Sequence, residues 1–178
     1  CAKDTGGAAV TVTSNTITMP NDSAVTCTFA NIRISKGLTL TKSWTNGKTG
    51  DVANLTITGA TGATAGSSTV GGTTTAATAT GYAGDTITLA ESGSALSNYT
   101  STLTCTKDTG GAAVTVTSNT ITMPNDSAVT CTFANTRKSA TLTLRKTWSA
   151  NSKAGDIATV SSTGFSNTAT SGASTATA

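Results

Sequence analysis

Three polar side chains end rows of the chain that are otherwise apolar at every second position. Lys42 follows Leu38 and Leu40, Glu91 follows Ile87 and Leu89, and Asn135 follows Cys131 and Phe133. A period of two marks one face of a β-strand, so each polar group shares the inward face of its strand. An isolated ammonium or carboxylate in a core costs several kcal/mol, so such groups are paired, neutralised or placed at a strand end that reaches water. One reading therefore sets all three at the rim of the fold, with a simple ion pair between Lys42 and Glu91. The other is covalent. A lysine desolvated among Leu and Trp has a lowered pKa, and its neutral amine can attack the side-chain carbonyl carbon of an adjacent Asn. Glu91, protonated in the same surroundings, would polarise that carbonyl and pass protons as ammonia leaves. The product is an amide between Lys42 and Asn135.

The four cysteines form two pairs of equal spacing, Cys1 with Cys27 and Cys105 with Cys131, each with 25 residues between its members. Zinc knuckles need two to four, so the spacing argues against a metal site. Cys105 and Cys131 share inward parity on neighbouring elements, and disulfides Cys105 to Cys131 and Cys1 to Cys27 are expected, hence an extracytoplasmic location. His is absent and Glu91 is the single glutamate, so the usual acid, base and metal-ligand side chains are nearly missing. An enzyme with turnover is not expected, and neither is a metal or other cofactor. The net charge of +3 comes from scattered Lys and Arg, which argues against a nucleic-acid partner. No run approaches a membrane span, and the first residues do not begin a signal peptide.

The elements that must position these residues read as short strands. Thr is the commonest residue and aromatic residues are 4%, a balance that favours pleated sheets over helices. Alternation places strands at Leu38 to Thr45, Asp51 to Thr58, Asp85 to Glu91, Tyr99 to Cys105 and Val129 to Asn135, with a short pair around Ser118-Asn119 and a turn at Pro124-Asn125-Asp126. The stretch from Ala60 to Gly81 is low-complexity Thr, Ala and Gly, readable only as an edge strand with loops. Seven or eight short strands in about 100 residues predict an antiparallel β-sandwich. Trp44 and Trp148 are expected as core or junction anchors. Four Asn-x-Ser/Thr sites, beginning at Asn21, Asn54, Asn98 and Asn125, are no more than this Thr content produces by chance.

The chain also repeats itself. Cys1 to Asn31 matches Cys105 to Asn135 at every position except Ala2 against Thr106, a period of 104 residues. Gly37 to Trp44 (GLTLTKSW) matches Ala140 to Trp148 (ATLTLRKTW), and Gly50-Asp51 matches Gly155-Asp156 after a one-residue insertion. The expected organisation is the last third of one β-sandwich repeat at 1–34, one complete repeat at 35–138 and the start of another at 139–178. Both ends then fall inside domains, and a longer polypeptide is expected.

The order of Lys42 in an LTLTK strand, Glu91 ending AGDTITLAE and Asn135 in CTFANTR resembles collagen-adhesin B-type and pilin repeats of large bacterial surface proteins. Asn135 to Trp148 (NTRKSATLTLRKTW) is similar to the junction between tandem prealbumin-like repeats. The resemblance implies an immunoglobulin-like or prealbumin-like sandwich and an autocatalytic Lys-Asn isopeptide bond assisted by an acidic residue. Where the family often carries Pro-Gly-Tyr after that acid, this chain has Ser92 to Tyr99 (SGSALSNY).

These readings converge on a structural repeat of an extracellular bacterial stalk, fibre or filament, secreted or displayed on the cell surface. Its partners would be neighbouring repeats and other copies of itself. The alternative is an adhesive module whose loops contact a host, matrix or carbohydrate ligand. The near-identity of the repeats favours the scaffold, which needs many copies of one unit. A third arrangement completes the partial ends with strands from a neighbouring chain.

Overall fold

The computed structural model describes residues 1–170; the last eight residues assigned by sequence to the 139–178 segment lie outside the described residues. Residues 1–34 hold four two-residue strands, β1 (Ala2–Lys3), β2 (Val12–Thr13), β3 (Thr16–Ile17) and β4 (Val25–Thr26). β1 pairs with β4 and β2 with β3, both antiparallel. The sandwich follows, built from β5 (Ser35–Thr45), β6 (Val52–Thr58), β7 (Thr61–Thr64), β8 (Gly66–Thr69), β9 (Thr74–Thr75), β10 (Ala77–Tyr82) and β11 (Thr86–Ser92). After a 3-10 turn at Leu96–Asn98 come β12 (Tyr99–Lys107), β13 (Ala113–Val114), β14 (Thr120–Thr122) and β15 (Val129–Arg137), and then a hairpin of β16 (Ile157–Ser162) and β17 (Phe165–Thr170).

Two sheets face each other. One has the order β13-β12-β15-β5-β10-β7, the other β14-β11-β6-β8-β9. Leu38, Leu40, Cys131 and Phe133 point inward from the first sheet and meet Leu55, Ile57, Ile87, Leu89 and Ile121 from the second. Leu38, Leu40, Ile87, Leu89, Cys131 and Phe133 lie on the inward rows that period-two spacing predicts. The fold is an all-β sandwich, as expected.

The pairing of β15 with β5 is parallel, with Cys131 opposite Leu40 and Phe133 opposite Lys42. The first and last long strands of the unit are therefore neighbours that run the same way. Consequently the chain enters at one end of the sheet and leaves at the other, about 30 Å away along the nine residues of β15 at roughly 3.3 Å per residue.

The low-complexity stretch departs from its reading as an edge strand with loops. It folds into four strands, and β10 is internal, hydrogen-bonded to both β5 and β7. Ala77 and Ala79 are buried there. Small residues are required because the layers approach closely: a Cβ on Gly66 would lie 2.3 Å from the Ala77 nitrogen, and one on Gly81 2.5 Å from the Met123 side chain. The short pair around Ser118-Asn119 also differs, since β13 joins β12 in one sheet while β14 joins β11 in the other. Ser118 and Asn119 both have positive φ, 49° and 60°, the conformation of a type I′ turn, and here that turn carries the chain between layers.

Both expected disulfides are present, Cys1 to Cys27 and Cys105 to Cys131. Cys105 and Cys131 are directly opposed partners in the β12–β15 ladder, and the bond lies in the core. Replacing both with Ala should lower the unfolding free energy of the sandwich by about 3 to 4 kcal/mol on the chain-entropy account of a loop this size. Urea titration of the variant against the parent checks this, and an unchanged midpoint would count against a stapling role.

Candidate functional site

Lys42, Glu91 and Asn135 come together at one end of the core. β5 supplies Lys42 and its parallel neighbour β15 supplies Asn135 two residues past the Lys42 partner, Phe133. Glu91 reaches in from β11 in the facing sheet, where Leu55 is its ladder partner. The alternation that buries Leu38 and Leu40 carries on to Lys42, and the one that buries Cys131 and Phe133 carries on to Asn135; relative exposures are 6% for Lys42 and 1% for Asn135. Neither residue sits at a solvent rim, while the ion pair of the simpler reading is present: Lys42 Nζ lies 3.2 Å from Glu91 Oε2.

The Lys42 ammonium also donates to the Phe133 carbonyl at 3.1 Å, which holds it against the strand that bears Asn135. Asn135 Nδ2 donates to Glu91 Oε2 at 3.2 Å. One carboxylate oxygen thus faces both the lysine nitrogen and the asparagine amide. The remaining asparagine atom, Oδ1, is buried without a hydrogen-bond partner. A buried carbonyl left in this way costs about 1–3 kcal/mol. Turning the amide over would place Oδ1 where Nδ2 lies, and a protonated Glu91 would then donate to it.

Burial pushes the Lys42 pKa below its ordinary value, and the neighbouring Glu91 charge and hydrogen bond offset only part of that shift. The lysine nitrogen also lies 4.3 Å from the centre of the Trp44 ring, a cation-on-ring contact that partly replaces lost water. Trp44 is fixed in turn. Its Nε1 donates to Ser68 Oγ at 3.0 Å, and Tyr99 meets it edge-on with ring centres 5.0 Å apart. The Tyr99 hydroxyl donates to Asp51 Oδ2 at 2.6 Å and accepts from the Lys48 backbone at 3.0 Å. The aromatic pair and its polar anchors cover the end of the core that holds the triad.

Sequence reasoning did not single out Ser101, whose hydroxyl donates to Glu91 Oε1 at 2.6 Å. It lies opposite Asn135 in the β12–β15 ladder, so one pairing fixes both groups around the carboxylate. Its parity with Leu103 and Cys105 was the available signal. The Asp51 to Tyr99 contact joins residues 48 positions apart, and no local pattern announces it. Among the described residues no group of three or more His, Cys, Asp or Glu side chains could hold a metal ion, and no helix is long and apolar enough to cross a membrane.

Residues 38–137, more than half of the chain, match the family model described as a prealbumin-like fold domain. Among solved structures the chain is similar to the major pilin protein (T-13) from Streptococcus pyogenes, at 14% identity and a TM-score of 0.39, covering 58% of this chain and 45% of that one. It thus spans less than half of that pilin's length. No curated protein matches the chain.

The lysine gives the site a pH signature. Because burial lowers the Lys42 pKa from 10.5, the unfolded state binds more protons between the folded value and 10.5, and stability must rise with pH across that window. An Asn135→Ala chain keeps the amine free and should show this rise in urea titrations at stepped pH. Adding Lys42→Met should flatten the slope; an equal slope in both variants would assign it to another group.

Proposed function

From the premise that this chain belongs to the prealbumin-like fold domain family, we propose that it is a structural repeat of an extracellular bacterial surface stalk or fibre, stapled internally by an isopeptide bond between Lys42 and Asn135. The observation that carries the reading is the buried triad, in which one Glu91 oxygen lies 3.2 Å from the amine and 3.2 Å from the amide nitrogen. The disulfides support an oxidising, extracytoplasmic setting. Tandem organisation, with 35–138 as the complete unit, is part of the same proposal and rests on the internal repeat.

The chemistry balances within the site. A proton passes from the Lys42 ammonium to Glu91, leaving a neutral amine beside a neutral acid. The amine attacks Asn135 Cγ while Glu91 donates a hydrogen bond to Oδ1, which takes up the developing negative charge. The new bond is Cγ to Nζ. Glu91 relays the proton lost by Nζ to Nδ2, the Cγ to Nδ2 bond breaks, and ammonia departs. The departing ammonia takes up the proton that Glu91 received from the Lys42 ammonium and leaves as ammonium, so Glu91 ends as the carboxylate it began as and two charges held in the core are reduced to one. The reaction happens once per molecule, so the role is mechanical rather than one of turnover.

After disulfide reduction the intact mass should lie about 17 Da below that of the sequence, the loss of one ammonia when an amine displaces an amide nitrogen. Tandem mass spectrometry should find Lys42 and Asn135 in one branched peptide. Glu91→Gln should leave the circular dichroism spectrum of the sandwich unchanged and restore the full mass. An unmodified parent mass refutes the bond, and a branched peptide joining other residues refutes the assignment.

A further inference from the structure

The chain entering the sandwich is held by a contact that the Lys42, Glu91 and Asn135 chemistry does not use. Arg33 lies two residues before β5 begins at Ser35. Its guanidinium sits 4.6 Å from the centre of the Tyr82 ring, and its Nη2 donates to Asp85 Oδ1. One residue on, the Ile34 carbonyl accepts from the Ala83 amide at 2.8 Å.

The surface that receives Arg33 is the corner between β10 and β11, and the backbone fixes its shape. Tyr82 ends β10 and is the ladder partner of Ser35. The Asp85 amide donates to the Tyr82 carbonyl at 2.9 Å, closing a turn through Gly84 at φ 85°. Met123, buried in the core, ties that turn down from behind: its carbonyl accepts from the Gly84 amide and its amide donates to the Asp85 carbonyl, each at 2.9 Å. A ring face and a carboxylate are thus held at the two ends of one anchored turn. A guanidinium suits such a site, because its face stacks on the ring while its N–H edge bonds the acid.

The internal repeat identifies the residue that docks there. At a period of 104 residues Arg33 corresponds to Arg137, Asn31 to Asn135 and Ile34 to Lys138. In the complete unit the closing strand stays ordered through that arginine: β15 ends at Arg137, opposite Tyr99, and the Lys138 amide donates to the Asn98 carbonyl at 2.9 Å. A unit therefore holds its own last strand as far as the arginine and the residue after it. It holds the chain that enters it from the same two positions onward. Carried across the repeat, the two holds meet with no free residue between them.

We propose that the Tyr82 to Asp85 corner is the docking site for the arginine that closes the preceding repeat, so that consecutive units are joined in a fixed orientation without a flexible linker. The inference rests on the tandem organisation proposed above and does not use the Lys42–Asn135 bond. An exposed ion pair is worth little by itself, and the Arg33 side chain is 59% exposed. Its effect here is directional, since three contacts act on two consecutive residues and need only select among the few backbone torsions of so short a link.

Nitrogen-15 relaxation of the 178-residue chain tests the joint. In the parent, the amides of Ile32, Arg33 and Ile34 should have order parameters of about 0.85, like a rigid strand. Residues 2–26 should report the same rotational correlation time as the sandwich. Arg33→Ala should lower the order parameters of residues 32–34 below about 0.6 and shorten the correlation time of residues 2–26. Tyr82→Leu/Asp85→Asn, which keeps Arg33 and alters only the corner, should do the same, with the amide shifts of Leu40, Leu89 and Phe133 unchanged in both variants. Mobile residues 32–34 in the parent, or a joint that stays rigid in either variant, overturns the proposal. The mass test of the isopeptide bond is independent of this contact, so failure of the joint and failure of the stapled-repeat reading are told apart.

Discussion

The parallel contact between β5 and β15 is the constraint from which the rest of the domain's behaviour follows. It brings Lys42 within reach of the strand that bears Asn135, and it sends the chain in at one end of the sheet and out at the other. A pull on the two chain ends loads this pair in shear, so its hydrogen bonds resist together rather than opening one after another. An amide between Lys42 and Asn135 would lie on that line of force. The load would then pass from the first strand to the last without crossing the intervening residues, and the body of the sandwich would carry none of it.

A lysine is an expensive residue to place there, and its surroundings show how the cost is met. Glu91, the Phe133 carbonyl and the Trp44 face each take one side of the ammonium. Ser101 and Asn135 occupy the two oxygens of Glu91. A buried ion pair of this kind is weak support for stability, since an apolar pair of the same volume would often serve better. Within this cluster Asn135 Oδ1 is left without a partner, and it is the acceptor that amide formation would use. A buried charge and an unpartnered carbonyl thus lie together at one end of a core that is otherwise mostly apolar.

Much of this arrangement is legible in the sequence, because period-two alternation tests each strand independently. The rows ending in Lys42, Glu91 and Asn135, and the parity of Cys105 with Cys131, needed only that one rule. The stretch from Ala60 to Gly81 resists it. Ala77 and Ala79 are as inward as Leu40, but their small side chains give a weak alternation among Thr and Gly, and the close approach that demands them is a property of two sheets together. Ser101 and the Asp51 to Tyr99 contact were missed for a related reason. A polar residue declares its partner only when distant strands are brought into register.

The duplicated closing segment separates what is encoded locally from what is supplied by a neighbour. Its polar scaffold is the same in both copies. Lys3 bonds Asp22 at 2.8 Å as Lys107 bonds Asp126 at 2.7 Å; Thr26 donates to Asp4 at 2.7 Å as Thr130 donates to Asp108 at 2.8 Å. The Thr5 and Thr109 amides each donate to a serine hydroxyl, at 3.0 and 2.9 Å, and the turn residues Ser14 and Asn15 have positive φ like Ser118 and Asn119. With a disulfide across the same pair of positions, these contacts shape the segment without help from the core. The apolar face obeys a different rule. Phe29 and Phe133 have identical sequence neighbours from Asp4 to Asn31 and from Asp108 to Asn135, yet only one has a parallel strand beside it and a facing sheet above. Its burial is a property of the completed pair of sheets.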